Sequence, residues 1–409
     1  MGYKVSGTTC VVRLVPLAVN RDQAKQCEAL RREAGHCWSD MVAAHVASRS
    51  GQWLSANDLM HEFKCGYALH SQSIQALAQK LEANVQGTRE RRSNGDTDIE
   101  YPYRPKEHQT VTWKDQGIRV REGWIILSNG RGREPLVRLL PEEYRSADIR
   151  KAELLWRADH YELALTLDTG VTNPPLLRSV RTAGVDLGEV NIAAVVAENG
   201  QGVVIKGRYL RSVKRLRNKR HAAYARNMKK CSPGSRRMRR LLKRKAQASA
   251  RFARQARDIL HKASRQVVQF AQAQGVAHLV VGDVREVAAD PHKGRHQNQR
   301  LSQWAHGQVV QYVTYKARAL GISTAYIPED YSTRTCSVCG HLRASAPRGR
   351  VFVCPNPGCG AVVSRDGNGG ANICSRSRHG TYGKVHIQHL TYLQPVAVVA
   401  PRRGPKLLA

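Results

Sequence analysis

Four cysteines, Cys336, Cys339, Cys354 and Cys359, stand as two close pairs, C-S-V-C-G and C-P-N-P-G-C-G, inside the stretch from Tyr326 to Ile373. Thiolate is a soft ligand, and four of them favour tetrahedral zinc. A closed four-ligand set leaves no open position, so the metal implied is a single structural zinc. Gly340 and Gly360 follow the two pairs and let the backbone curl around an ion. Four unrelated reduced thiols are the alternative, and paired spacing argues against it. Carboxylates bracket the module, Glu329 just before it and Asp366 just after it. Closing the module brings its two chain ends together, which is a way to hold both acids at one further metal site.

A third carboxylate sits in a different pattern. Val180–Ala197 reads V-R-T-A-G-V-D-L-G-E-V-N-I-A-A-V-V-A, a buried strand carrying Asp186, a turn at Gly188 and a second apolar strand. This has the form of the opening hairpin of an RNase H-like fold, in which an Asp on the first strand binds a catalytic metal. The alternative is a plain hairpin with an exposed Asp. These strands are apolar enough to bury the acid, and a buried unpaired carboxylate is costly without a cation.

The elements that would position these residues belong to a chain of 409 residues with a formal charge of +34. That length allows two or three domains with their own cores. A surface so basic needs a polyanion, and nucleic acid is the expected partner ahead of an anionic membrane. Residues 206–265 concentrate the charge, with roughly two dozen Lys and Arg against the single acid Asp258. Arg236, Arg237, Arg239, Arg240, Lys243, Arg244 and Lys245 wrap a helix whose apolar stripe is Met238, Leu241 and Leu242. A charge run is usually a solvated face, but one this one-sided repels itself without a polyanion. No run of eighteen apolar residues and no signal-peptide core is visible, so a cytoplasmic protein is expected, nucleoid-associated if prokaryotic. The other six cysteines (Cys10, Cys27, Cys37, Cys65, Cys231, Cys374) are unpaired in spacing and read as ordinary thiols of a reducing compartment.

Along the chain, T-C-V-V-R-L-V-P-L-A-V at 9–19 is a β-rich opening, and helical periodicity follows from Asp22 to about Asn84. Trp38 and Trp53 within it read as core rather than base-stacking residues. After a polar, Gly- and Pro-containing connector, strand signals come at Thr110–Trp113, Gly117–Val120, Trp124–Leu127, Leu136–Leu140 and Tyr161–Asp168. A β-barrel over 1–20 and 100–180, split by a helical region over 21–99, accounts for this order. An α/β domain follows over 181–332 and 363–379, with the cysteine module at 333–362 inserted in it. Ala277–Val284 reads as a strand, Arg300–Gly321 as one amphipathic helix, and Ile322–Pro328 as the strand that delivers Glu329. Residues 380–409, lacking periodicity, are expected to be poorly ordered.

Taken together, G-V-D-L-G (184–188), Q-W-A-H-G-Q (303–308) with Y-K-A (315–317), Y-S-T-R-T-C-S-V-C-G (331–340) and R-D-G-N-G-G-A-N-I (365–373) resemble the TnpB family. These are transposon-encoded proteins related to Fanzors and type V CRISPR effectors. The C-terminal half carries the match; the N-terminal half matches only in layout. The resemblance implies an RNA-guided endonuclease whose RuvC domain cuts double-stranded DNA matched to a guide RNA from the transposon end. It also implies two catalytic Mg²⁺. One departure stands out: where most of the family has the RuvC glutamate, this chain has Gly282, in L-V-V-G-D-V. Fanzors and some TnpB relatives carry a replacement on the strand before the zinc ribbon, and Glu329 stands there. The ligands implied are therefore Asp186, Glu329 and Asp366. Asp283 alternates to the opposite face from Gly282, and Asp330 to that from Glu329. Arg365, beside Asp366, reads equally as a contact to the scissile phosphate and as a solvated residue, and Asn368 as fixing the turn after Asp366. Other readings are a nuclease-dead guided repressor, a non-catalytic zinc-ribbon RNA-binding protein and, more weakly, a DNA strand transferase.

Overall fold

The computed structural model describes residues 8–178, 180–284, 294–347 and 349–395. The chain forms two compact units, Met1–Thr172 and Asn173–Ala409.

In the first unit, β1 (Thr8–Leu17) is followed by three helices, α1 (Arg21–Ala47), α2 (Ala56–Phe63) and α3 (Ser71–Ser93). Asn20 starts α1 with a capping box shared with Gln23, so the chain leaves the strand and enters a helix within three residues. Cys27, Leu30, Ala34, Cys37, Trp38, Met41 and Val42 recur at helical spacing and form its buried stripe. Six strands come next: β2 (Val111–Lys114), β3 (Ile118–Arg121), β4 (Trp124–Leu127), β5 (Leu136–Leu139), β6 (Asp148–Trp156) and β7 (Tyr161–Thr172). β7 returns to pair antiparallel with β1, from Thr8 opposite Thr172 to Leu17 opposite Tyr161. The helices are thus inserted between β1 and β2.

The expected barrel needs correction. The seven strands make two antiparallel sheets, β1-β7-β6-β2 and β3-β4-β5, over a shared core rather than one closed ladder. Strand β6 escaped the sequence reading because a bulge between Ile149 and Lys151 breaks its alternation. Ile149, Ala152 and Leu154 face the core, which is not a period of two.

The second unit is built on a six-stranded sheet. Its first three strands, β8 (Thr182–Leu187), β9 (Asn191–Ala197) and β10 (Gln201–Lys206), form an antiparallel meander. Two long helices follow, α4 (Arg208–Met228) and α5 (Arg236–Ala273). The chain re-enters the sheet as β11 (His278–Asp283), parallel to β8. After α6 (Arg295–Ser302) and α7 (His306–Arg318), β12 (Ser323–Pro328) lies parallel to β11. A two-stranded hairpin, β13 (Val351–Val353) and β14 (Val362–Ser364), leads into α8 (Arg365–His379), which packs across β8 and β9. The core on the α5 and α7 side contains Val185, Val195, Ile205, Ile259, Val267, Leu279 and Val313.

Two further expectations are corrected here. Arg300–Gly321 is not one helix: it breaks at Gln303–Ala305, where the Trp304 indole turns in to donate to the Gly188 carbonyl at 3.1 Å. The 380–409 tail is not without order in its described part. β15 (His389–Leu393) extends the sheet parallel to β10, while 396–409 lie outside the described residues. The sequence hid this strand because it is short and His-, Tyr- and Thr-bearing, and it pairs with a partner nearly two hundred residues back.

Candidate active site

The sheet register decides where the three carboxylates meet. β11 pairs with β8 so that Val281 lies opposite Val185, which brings Gly282 level with Asp186 on the neighbouring strand. On its other side Gly282 pairs with Ile327 of β12. Residues level with one another in adjacent strands share a face, and so do residues two apart along a strand. Asp186, Gly282, Ile327 and Glu329 therefore belong to one face.

Glu329 occupies the space that Gly282 leaves. A Cβ built on Gly282 would collide with Glu329 Oε2 and would stand 2.8 Å from Ile373 Cδ1 and 3.2 Å from Glu329 Cβ. The missing side chain on one strand is thus filled by the carboxylate arriving from the next. Glu329 Oε2 is buried and has no hydrogen-bond partner among the described residues. Burial pushes this carboxyl up to about 7, and the charges of Asp283 and Asp330 add to the shift.

Asp186 is covered by α8. A Cβ on Gly369 would lie 2.5 Å from Asp186 Oδ2. A Cβ on Gly184 would strike the Gly370 carbonyl and the Cys374 amide, so strand and helix touch backbone to backbone. Glycines are unfavourable inside a helix by about 1 kcal/mol each. Here Gly369 and Gly370 are what allow α8 to lie this close. Desolvation holds the Asp186 carboxyl well above the usual carboxylate range, with Glu329 and then Asp366 raising it and Arg365 opposing them.

Asp366 stands in the first turn of α8, where Ser364 caps the helix. The helix N-terminus favours a negative charge there. Asn191 Nδ2 donates to Asp366 Oδ2 at 2.6 Å, Arg365 lies at 3.2 Å from Oδ1, and Arg350 at 3.4 Å from Oδ2. Asn191, the first residue of β9, and Arg350, in the cysteine module, were not singled out from sequence. Nothing in their local spacing marks them, since only the folded sheet brings them to Asp366. A cavity of about 350 Å³ opens beside Asp366, lined among others by Asn191, Arg300, Arg350 and Arg365.

Asn368 does a different job from the one expected. Its amide is fully buried, accepts from the Ser337 amide at 2.8 Å and donates to the Ser332 and Thr335 carbonyls. One turn on, Asn372 donates to the same two carbonyls at 2.8 and 2.7 Å. The pair bolts the segment after Glu329 onto the helix that carries Asp366. Asn368 therefore fixes the Ser332–Thr335 turn, not a turn after Asp366, which already lies within helix.

The cysteine module closes as the spacing predicts. The four Sγ atoms all lie within 4.8 Å of one another, with Cys336–Cys359 at 3.9 Å and Cys339–Cys354 at 3.6 Å. Ligands at 2.3 Å in a tetrahedron are separated by about 3.8 Å, so the set is consistent with one structural zinc. Phe352 fills the small core behind it. The three carboxylates do not all lie within 4.8 Å of one another, as the ligands of one ion would. A buried, unpartnered carboxylate oxygen and an acid raised far above its usual range fit a cation at this place. Oxygen donors alone suit a hard ion such as Mg²⁺.

The basic residues lie on the α4–α5 pair. Buried residues of α5 begin at Phe252, so its first four turns leave the core. Arg236, Arg237, Arg239, Arg240, Lys243 and Arg244 are exposed and Lys245 is half-buried. None of the seven has a carboxylate partner among the described residues. Met238 and Leu241 are half-buried and Leu242 is exposed, so the expected apolar stripe is not covered.

Two segments of the chain match known family models. Residues 306–373 match the family model "Cas12f1-like, TNB domain", and residues 164–288 match "Probable transposase". A "TnpB-like protein MJ0751" of Methanocaldococcus jannaschii is 23% identical over 240 residues, covering 58% of this chain and 82% of that protein. Among solved structures, a chain from a Cas12f1–sgRNA–target DNA complex superposes with a TM-score of 0.61 at 12% identity. That match covers 87% of this chain and 83% of the other. No helix among the described residues is long and apolar enough to cross a membrane.

Proposed function

We propose, from the premise that this chain is a member of the TnpB family, that it is an RNA-guided DNA endonuclease with an RNase H-like (RuvC) active site. Its partners would be a guide RNA from the transposon end and double-stranded target DNA, cut beside a short adjacent motif. Asp186, Glu329 and Asp366 would hold two Mg²⁺. The observation that carries the reading is the Glu329 carboxylate standing in the space over Gly282, on the face that Asp186 shares. A chain that had merely lost its glutamate would have no reason to bury a second, unpartnered one in the same space.

When bound, the metals supply Lewis-acid activation of a water and charge to stabilise the leaving oxygen. The chain does the rest. Asn191 fixes the rotamer of Asp366 by its 2.6 Å bond. Arg350 and Arg365 neutralise Asp366 while no phosphate is present, and their guanidiniums suit a phosphodiester in the adjoining cavity. Asn368 and Asn372 hold the Glu329 segment against α8, so that two ligands from distant parts of the chain keep a fixed separation. The exposed cations of α5 supply sequence-independent affinity for phosphates.

Sequencing the RNA that co-purifies with the protein names the guide, and a DNA matched to that guide is then incubated with Mg²⁺. Double-strand cutting of the matched DNA alone is the expected result. Guided binding without any cutting would establish the nuclease-dead repressor instead, and absence of a defined RNA would leave a non-catalytic RNA-binding protein.

A further inference from the structure

A layered cluster of arginines and aromatic rings lies in the first unit, far in sequence from every residue of the metal site. Arg49, just past α1, sits over three rings, 4.7 Å from the centroid of Tyr101, 5.3 Å from that of Trp53 and 5.4 Å from that of Tyr103. Arg89, from the last turns of α3, covers Trp53 at 4.9 Å, and Arg92 covers Tyr101 at 5.6 Å. The rings contact one another too: Trp53 meets Tyr101 edge-on at 5.6 Å, and Tyr101 stacks on Tyr103 at 5.5 Å. His45 anchors the cluster from below, buried and bonded to the Tyr103 hydroxyl at 3.0 Å.

The arginines differ in what they have left to offer. Arg92 uses its guanidinium on the Ile99 carbonyl at 2.7 Å. Arg49 and Arg89 are exposed, and among the described residues neither has a hydrogen-bond or carboxylate partner. Their guanidinium carbons stand 4.7 to 5.4 Å from ring centroids, while the five N–H donors of each remain unspent. The result is a cationic, ring-backed surface with unspent donors. An acidic peptide would meet the donors but leave the flat faces without a partner. A duplex would meet the charge but keep its base faces stacked inside. An unpaired nucleotide offers both, a π-face for the guanidinium plane and a phosphate for its edge.

We propose that Arg49 and Arg89, backed by Trp53 and Tyr101, form a stacking site for unpaired nucleotides of a single-stranded nucleic acid. This deepens the nucleic-acid part of the proposed function without involving its carboxylates. Trp53, read from sequence as a core residue, is half-buried and packs against the core of the first unit, and Arg49 and Arg89 stand over its ring.

The test uses the full chain and fluorescent twelve-nucleotide oligouridine and oligothymidine, without added magnesium. Arg49→Gln with Arg89→Gln is compared with Arg49→Lys with Arg89→Lys, which keeps the charge and removes the plane. Both pairs should weaken binding by about tenfold, as loss of a stacked base commonly does. The Lys pair should do so with the salt dependence unchanged, and both should keep the wild-type melting temperature. Ultraviolet cross-linking of 5-iodouridine RNA should map to the segments that carry Arg49, Trp53, Arg89 or Tyr101. A preference for oligouridine assigns the site to RNA, and one for oligothymidine assigns it to a DNA strand; either supports the site. Wild-type affinity in the Lys pair would mean that charge alone binds, and wild-type affinity in the Gln pair, or cross-links elsewhere, would overturn the site. Cleavage lost by altering a carboxylate, with this binding intact, separates the two proposals.

Discussion

Replacing Gly282 with Ala adds a single methyl group at the point on which the active-site geometry turns. The new Cβ would overlap Glu329 Oε2 and press on Ile373 Cδ1 at 2.8 Å. Ordinary carbon contacts begin near 3.5 Å, so the isoleucine tip must give by roughly 0.7 Å and the carboxylate by about 1 Å or more. Both atoms are the far ends of flexible side chains, so the fold survives. Overpacking costs about 1–3 kcal/mol, and removing a strand glycine returns roughly 0.5–1 kcal/mol. A net loss of about 1 kcal/mol lowers the melting temperature of a unit this size by roughly 2–4 °C. Activity should suffer far more, because displacing a reacting group by 1 Å can cost about 10²-fold. The assay is Mg²⁺-dependent cleavage of guide-matched DNA, with guided binding measured in parallel and expected to be unchanged. In a Glu329→Gln background the same alanine should add little, since both changes strike one element. Gly282→Ala cutting at the wild-type rate with normal metal dependence would refute the reasoning.

Three other outcomes follow from the same structure. Cys336→Ser with Cys354→Ser should release about one zinc per chain and destabilise the second unit, read by elemental analysis and thermal melting; wild-type protein without zinc contradicts it. Changing Arg236, Arg237, Arg239 and Arg240 to Gln should flatten the dependence of log affinity on log salt, measured by anisotropy, and an unchanged slope would leave these arginines merely solvated. The Glu329 carboxyl is raised from 4.5 to about 7. A group raised on folding contributes stability below its unfolded pKa and loses it as pH rises through the folded one. Metal-free protein should therefore lose stability between about pH 4.5 and 7, and Glu329→Gln or millimolar Mg²⁺ should shrink that loss; identical pH curves for wild type and Glu329→Gln contradict it.

What could be read in advance depended on whether the signal was local. The cysteine quartet and the Asp186 hairpin are spelled out within short windows, and both closed as spacing implied. Glu329 was found by its place before the ribbon. Why it suits that place, the vacancy over Gly282, needed the parallel register of β11 and β12. Helix α8 was concealed by its own glycines, which look like a turn and are instead what lets the helix lie against β8. Asn191, Arg350 and Asn372 gave no local signal because their roles are set by residues 16 to 175 positions away. The bulged β6 and the short β15 failed on periodicity for the same reason, since pairing rather than pattern defines them.

The most direct measurement is cleavage of guide-matched DNA by Glu329→Gln beside Asp283→Asn, with Asp186→Asn and Asp366→Asn as references. The amide keeps the shape of Glu329 and removes the charge that would hold a metal, so Glu329→Gln should lose cutting by orders of magnitude while still binding matched DNA. It should match the two aspartate variants, because three carboxylates that hold the same metals would act as one unit. Asp283→Asn should cut nearly normally. Cutting by Glu329→Gln together with its loss in Asp283→Asn would contradict the assignment and make Asp283 the ligand.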